Sequence, residues 1–212
     1  MLDSRPIGVL GGTFDPVHNG HLRVAIEACE ALDLAEVRLI PLSAPNHRAA
    51  PIASGAMRLA MLRAAARPPL VVDTCELERG GTSYTVDTLR ELRQRWPARP
   101  LCLLIGRDAY QSLPSWHRPH DIFELAHVVV AARPQDTAFR VAELDELTAN
   151  KHALDVSLLH QAPAGRVYFL DLPWLAIASS DLRARRATGR DIRHLVPDGV
   201  LDIIERERLY VT

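Results

Sequence analysis

The chain has 212 residues, 48% of them apolar, which suffices for one ordinary folded domain with a full hydrophobic core. Its formal net charge of −1 gives no general attraction to nucleic acid or to an anionic membrane, so neither is expected as a partner. Three scattered cysteines (Cys29, Cys75, Cys102) form no disulfide framework, and no apolar stretch approaches 18 residues, so the sequence predicts a soluble cytoplasmic protein.

Apolar runs alternate along the chain with segments of helical periodicity. The predicted strands are 7–10, 37–42, 70–73, 101–105, 127–131 and 167–170. The predicted helices are 20–32, 55–66, 85–96, 121–126, a weaker segment near 138–160, then 180–188 and 198–206. This alternation predicts an α/β fold of right-handed βαβ units, with a parallel sheet that helices cover on both faces. In such a sheet, ligands bind beyond the carboxyl ends of the strands.

The most informative segment joins the first predicted strand to the first predicted helix. It contains two adjacent glycines, Gly11 and Gly12, and two histidines, His18 and His21. A helix N-terminus attracts anions, and glycines let the backbone approach a ligand closely. Because the histidines are three residues apart, both can reach one anion from the same face of the helix. The segment therefore predicts a phosphate site.

Other interpretations of this segment stay open. Paired glycines after a strand also form ordinary tight turns, and a single histidine is often only a buried or surface residue. A His-x-x-His pair could be half of a zinc site, but such a site needs a third or fourth ligand. The remaining histidines and cysteines show no metal-ligand spacing. No metal ligands are therefore predicted.

Two polar segments follow the second strand. The loop directly after it is a plain connector, or its tip at His47 and Arg48 reaches phosphate oxygens. Ser83 is a candidate N-cap for the helix 85–96, with Asp87 favourable in its first turn. By themselves these residues indicate a well-capped surface helix.

Two further segments lie nearer the C-terminus. Gly106–Asp108 ends the fourth strand, and Trp116 shortly after it is a candidate core residue. Ser179 or Ser180 is a candidate N-cap of a helix that Gly189 ends.

The order of these motifs resembles a known family. The string Gly11–His21 resembles the GGxFxPxHxGH signature of the nucleotidyltransferases that carry an HxGH motif. The further strings resemble those of nicotinate-nucleotide adenylyltransferases: Pro41–Arg48 (P-P-H-K/R, with Asn46 at the second proline), Ser83–Leu89 (SYTVDTL), Ile105–Asp108 with Leu113–His117 (IGxD…LxxWH), Arg133–Pro134, and Ile177–Arg183 (I-S-S-T-x-I-R, with Ala178 and Ser180 at the first Ser and the Thr). The resemblance extends from residue 7 to about 210.

The resemblance implies a Rossmann-like open sheet, with a core of about 1–175 and a small C-terminal helical part of about 176–212. It implies adenylyl transfer from ATP to nicotinate mononucleotide, giving deamido-NAD and pyrophosphate in NAD biosynthesis. The acceptor phosphate attacks in line without a covalent intermediate, and Mg²⁺ arrives with ATP. Alternatives are a related enzyme with another acceptor (nicotinamide mononucleotide or phosphopantetheine) and a non-catalytic nucleotide sensor. A homo-oligomer is compatible with the sequence, which does not specify one.

The resemblance also implies roles for individual residues. His18, His21 and Arg183 would be catalytic. ATP would be bound by Gly11, Gly12, Thr13, Phe14, His18, His21, Gly106, Asp108, Arg133, Ser179, Ser180 and Arg183. The acceptor would be bound by His47, Arg48, Ser83, Tyr84, Thr85 and Trp116.

Overall fold

The computed structural model of the chain describes residues 4–43, 50–132, 142–173 and 175–211. Six strands form one parallel sheet in the order β3-β2-β1-β4-β5-β6. The strands are β1 Ile7–Gly12, β2 Glu36–Pro41, β3 Leu70–Val72, β4 Leu101–Gly106, β5 His127–Ala132 and β6 Val167–Asp171. The α/β class is confirmed, and all six predicted strands are present. Because the strand order reverses between β1 and β4, the gap beyond their carboxyl ends is the switch point at which such sheets bind ligands.

The helices of the described residues include several short ones. They are α1 Asn19–Ala31, α2 Gly55–Ala65, α3 Cys75–Arg79, α4 Thr85–Arg95, α5 Arg107–Gln111, α6 Pro119–Leu125, α7 Ala142–Leu147, α8 Ser157–His160, α9 Ser179–Ala187 and α10 Asp198–Arg206. The sequence prediction missed α3, α5 and a 3-10 turn at Leu113–Ser115 because five residues or fewer show no measurable helical period. The prediction of one weak helix near 138–160 is wrong: the described part of that segment holds α7 and α8 with irregular chain between them.

The sheet separates two apolar clusters. Along β4, Leu103 and Ile105 point into the cluster that contains α4 and α6, whereas Cys102 and Leu104 point into the opposite cluster. This alternation follows from the period of two in a strand, and it explains why the strand is apolar throughout. The cluster that contains Cys102 and Leu104 also contains residues of α1, α2, α9 and α10, so the C-terminal helices share a core with the first helix.

The three cysteines are buried free thiols, as expected for small apolar residues. Burial raises the pKa of both Cys75 and Cys102 to about 12, so these thiols stay protonated at neutral pH. Among the described residues, no helix is long and apolar enough to cross a membrane.

Candidate active site

The predicted histidine pair, His18 and His21, lies at the start of α1. His18 is the N-cap: its Nδ1 accepts a hydrogen bond from the backbone N–H of His21 at 3.4 Å. In return, Nδ1 of His21 accepts from the backbone N–H of His18 at 3.3 Å. The two rings stack with their centroids 3.7 Å apart. The spacing predicted that the two histidines share a face of the helix start, and the structure in addition brings their rings into direct contact.

Gly20 makes room for this arrangement. A Cβ atom added to Gly20 would lie 2.9 Å from Nδ1 of His18, closer than real side chains tolerate. The glycine between the two histidines is therefore required by the position of the His18 ring.

Burial sets the charge of the two rings, and the hydrogen bonds set which ring nitrogen carries the proton. Burial lowers the pKa of His18 to about 4, and burial together with the nearby His18 lowers the pKa of His21 to about 3. Both rings are therefore neutral at pH 7 in the free protein. Because each Nδ1 accepts a backbone N–H, each ring carries its proton on Nε2, where it can donate to a ligand oxygen.

Asp15 anchors the histidine loop, residues 13–18, which joins β1 to α1. Its buried carboxylate accepts the backbone N–H groups of Ile52 at 2.8 Å and Ala53 at 3.0 Å, both just before α2. Oδ1 also accepts the hydroxyl of Tyr210, near the C-terminus, at 2.7 Å. Three donors from two distant segments therefore hold one residue of the loop.

Arg58 supports the same loop from α2. It is 1% exposed, and its Nη1 donates to the backbone oxygen of Thr13 at 2.8 Å. Sequence reasoning missed both Asp15 and Arg58. A signal for Arg58 was present, because it lies three and four residues before the buried Met61 and Leu62 and thus on the apolar face of α2.

The start of α9 packs against the other side of the loop. The hydroxyl of Ser179 donates to the backbone oxygen of Pro16 at 2.9 Å, and Nη1 of Arg183 donates to the backbone oxygen of Asp15 at 2.7 Å. The predicted residues Ser179 and Arg183 are therefore beside the histidine loop, whereas Ser180 is exposed.

Both side-chain cap predictions are wrong. The N-cap of α4 is Tyr84, without a side-chain hydrogen bond, while the buried hydroxyl of Ser83 accepts from Nη1 of Arg79 at 3.1 Å. The N-cap of α9 is Ala178, since that helix already begins at Ser179. Both hydroxyls contact residues outside their helix, because the surrounding elements offer them partners that the local sequence does not reveal.

A cavity of about 340 Å³ opens at the switch point, next to the histidine loop. Seven of the predicted site residues line it: Gly11, Gly12, Thr13, Ser83, Thr85, Gly106 and Trp116. Cβ atoms added to Gly11 and Gly106 would meet no atom within 4 Å, so these two glycines leave space for a ligand at the strand ends. The rest of the lining is mostly apolar.

Two aromatic residues lie near this cavity. Trp116 is half-buried, and its indole N–H donates to the hydroxyl of Ser112 at 3.2 Å, which fixes the plane of the ring. Tyr84 does not line the cavity; its ring packs on that of His117 with centroids 4.3 Å apart.

The remaining predicted residues lie elsewhere. The ring of Phe14 is buried and makes a T-shaped contact with His21 at 5.1 Å between centroids, so its side chain belongs to the core. Asp108 is exposed in the first turn of α5. His47, Arg48 and Arg133 lie outside the described residues. Within the described ranges, no group of three or more His, Cys, Asp or Glu side chains could hold a metal ion.

The sheet, the histidine pair at the first helix and the cavity at the switch point define a class of nucleotide-binding transferases. The profile of the cytidylyltransferase-like family matches residues 9–185. The chain is 47% identical over 207 residues to the "Probable nicotinate-nucleotide adenylyltransferase" of Aeromonas salmonicida, covering 97% of each chain. It is 45% identical to the protein of the same name in Methylococcus capsulatus, covering 96% of this chain and 99% of that one. The chain belongs to the nicotinate-nucleotide adenylyltransferase family.

Solved structures agree on the fold. The nicotinic acid mononucleotide adenylyltransferase of Plasmodium falciparum complexed with NaAD has a TM-score of 0.70 at 18% identity, covering 97% of both chains. The same protein complexed with APC has a TM-score of 0.67. At this identity the likeness concerns the fold, which is Rossmann-like.

Proposed function

We propose that this protein transfers the adenylyl group of ATP to nicotinate mononucleotide, giving deamido-NAD and pyrophosphate in NAD biosynthesis. The observation that carries the proposal is the neutral, stacked histidine pair at the N-terminus of α1, at the end of the loop whose first residue, Thr13, lines the cavity. One part of this site suits a polyphosphate, and the other suits a flat ring. An adenylyltransferase needs both, because it must hold two nucleotides with their phosphates adjacent.

We assign the phosphates of ATP to the histidine pair, Arg183 and the backbone at Gly12 and Thr13. The Nε2–H groups of the two neutral histidines donate hydrogen bonds to an anion, and the N-terminus of α1 adds the partial positive charge of the helix dipole. Arg183 is held beside the loop by the backbone of Asp15, so its planar fork is positioned before the ligand arrives.

Further ATP contacts are proposed for the backbone at Gly11 and Phe14, for Gly106 and Asp108, and for Ser179 and Ser180. Arg133 remains a predicted ATP contact. Mg²⁺ enters as part of the substrate, bound to the phosphates of ATP, because it usually keeps several waters and binds through substrate phosphates.

The acceptor ring is assigned to the cavity, against the indole of Trp116, with its carboxylate at the N-terminus of α4. The first N–H groups of a helix have no partner inside the helix, so those at Thr85 and Val86 can bind an anion. Ser83 and Tyr84 flank this point in the chain. A carboxamide would present its own donors to the helix donors, which favours nicotinate over nicotinamide mononucleotide. His47 and Arg48 remain predicted acceptor contacts.

The reaction needs no protein base. A phosphate monoester has a second pKa near ~6, so the acceptor phosphate is already ionised at neutral pH and can attack the α-phosphorus in line. No covalent intermediate is required. The protein aligns two polyanions and stabilises the charge that develops between them.

The test is pyrophosphate release from MgATP by the purified protein with a panel of acceptors. We expect fastest release with nicotinate mononucleotide, slower release with nicotinamide mononucleotide, and none with phosphopantetheine. Release with phosphopantetheine alone would assign a different acceptor. ATP binding without release on any acceptor would indicate a nucleotide sensor. A cytoplasmic location is part of the proposal and is supported by the buried free cysteines.

A further inference from the structure

The cavity contains one buried acid for which the proposed chemistry has no use. Glu76 lies on α3, is 7% exposed and lines the cavity together with Thr85 and Thr88 of α4. Among the described residues that line the cavity, Glu76 is the only one with a titratable side chain. A carboxylate in such apolar surroundings is costly unless its oxygens are paired.

The hydrogen bonds around Glu76 distinguish its two oxygens. The hydroxyl of Thr88 lies 2.7 Å from Oε1 and 3.3 Å from Nη1 of Arg79. A guanidinium can only donate, so Thr88 accepts from Arg79 and must give its single proton to Oε1. The backbone N–H of Ser43 is a further nearby group that favours the ionised carboxylate. Oε2 is buried and has no hydrogen-bond partner within the described part of the chain.

The neighbouring charges only partly support ionisation. Burial raises the pKa of Glu76, and the nearby Glu91 of α4 raises it further. The bond from Thr88, the backbone N–H of Ser43 and the charge of Arg79 act in the opposite direction. Arg79 is shared with Glu91, to which its Nη2 donates at 2.6 Å. Glu76 therefore gains a proton more readily than an exposed glutamate.

An acceptor carboxylate at the N-terminus of α4 would lie close to this acid. Thr88 is three residues after Thr85, so the Thr88 hydroxyl and the carboxyl group that it bonds are about one helical turn from the proposed anion site. Two carboxylates in one poorly solvated cavity cannot both ionise without strong repulsion. One of them has to bind a proton.

We propose that Glu76 is a specificity-determining residue that takes up a proton from solvent on Oε2 when a carboxylate-bearing acceptor enters the cavity. The proposal rests on the proposed function, because it assumes a nicotinate acceptor in this cavity. No covalent bond forms or breaks in this step other than the O–H bond of Glu76. The neutral acid stops repelling the acceptor carboxylate and offers it one more donor.

This proton makes acceptor binding depend on pH. The KM for nicotinate mononucleotide rises with pH, approaching tenfold per pH unit where one full proton is taken up on binding. Nicotinamide mononucleotide carries no carboxylate, so its KM changes little over the same range. The preference for the acid is therefore strongest at low pH.

The experiment measures KM and kcat for both acceptors from pH 7 to pH 9, above the titration of the acceptor phosphate. Glu76→Gln imitates the protonated acid, and we expect it to give a KM for nicotinate mononucleotide that is low and independent of pH. Thr88→Val removes the donor to Oε1, which favours the protonated form and moves the rise in KM to higher pH. Thr88→Ser keeps the hydroxyl, and we expect it to keep the wild-type pH dependence.

A second measurement needs no turnover. Calorimetry of nicotinate mononucleotide binding without ATP, in buffers of different ionisation enthalpy, should show proton uptake by the wild type at pH 8 and less by Glu76→Gln. A flat KM in the wild type, or the same slope in Glu76→Gln, would overturn the role of Glu76. If neither protein used nicotinate mononucleotide while both used another acceptor, the proposed function itself would be wrong. If Glu76→Gln did not fold, an unchanged pH dependence in Thr88→Val would still contradict the proposal.

Discussion

The histidine loop and the cavity meet at Thr13, but they are built differently. Hydrogen bonds to distant segments fix the loop: Arg58 binds the backbone of Thr13, and the loop's own Asp15 binds Tyr210 and the backbone before α2. The cavity is shaped mainly by strand ends, glycines and one half-buried indole, with few polar side chains. The part assigned to charge stabilisation is therefore rigid before ligands bind, while the part assigned to ring recognition depends on shape and on a helix terminus.

This comparison predicts that changes on the two sides affect different kinetic constants. The largest effect is expected for His21→Ala, which removes one Nε2 donor from the phosphate side. A lost donor of this kind commonly lowers kcat by ~10²–10³. We expect that loss with a folded protein, measured as pyrophosphate release at saturating substrates together with thermal unfolding. Near wild-type turnover in the purified variant would remove the role assigned to His21.

His152→Ala is the matched control for that variant. His152 is exposed beside Val167, the first residue of β6, and therefore at the end of the sheet opposite to the site. We expect it to leave kcat unchanged. A comparable loss in both variants would mean that histidine removal acts through stability.

On the cavity side, Trp116→Ala should raise the acceptor KM and leave the KM for ATP nearly unchanged. Stacking of a base on an aromatic ring contributes ~1–3 kcal/mol, which corresponds to a roughly 5–150-fold rise. Steady-state kinetics with each substrate varied in turn checks this. Trp96→Ala at the far end of α4, where Arg38 lies over the ring, should lower stability without this KM effect. An unchanged acceptor KM in Trp116→Ala would place the ring elsewhere.

The histidine pair also makes a prediction about stability. The pKa of His18 is about 4 in the folded state, compared with ~6.5 in an unfolded chain. Because the folded pKa is lower, the unfolded state binds more protons between these values. Stability is therefore complete above pH ~6.5 and falls as the pH falls toward 4, by about 1–2 kcal/mol between pH 7 and pH 5.

His18→Asn isolates this contribution, because asparagine can still cap α1 but does not titrate. Urea unfolding of both proteins at pH 7 and pH 5 should show a smaller loss of stability in the variant. Equal losses would indicate that His21 or the buried His127, whose pKa values are also lowered by burial, causes the acid sensitivity.

The smallest effect is expected for Tyr210→Phe, which removes one of three donors to Asp15. A single hydrogen bond contributes about 0.5–1.5 kcal/mol, and Asp15 keeps its bonds to Ile52 and Ala53. We expect a small loss of stability and a modest fall in kcat with unchanged KM values. A changed acceptor KM instead would show that Asp15 also shapes the cavity.

Sequence reasoning recovered the six strands, the longer helices and the placement of the two histidines on one face of the first helix turn. These features repeat with a short period or lie within a few residues of one another, so local spacing specifies them. It failed at both helix caps. The hydroxyls of Ser83 and Ser179 instead bond Arg79 and the backbone of Pro16, and the second of these partners is 163 residues away along the chain.

The amino-acid order by itself determined the α/β class, the family and the set of residues from which a phosphate site could be made. Only the tertiary structure decided that Asp15 joins the start of α2 to Tyr210, and that Glu76 shares a cavity with Trp116. The physical reason is that hydrogen-bond partners and burial depend on which distant segments pack together. No periodicity in the sequence encodes the pairing of one buried carboxylate with one hydroxyl.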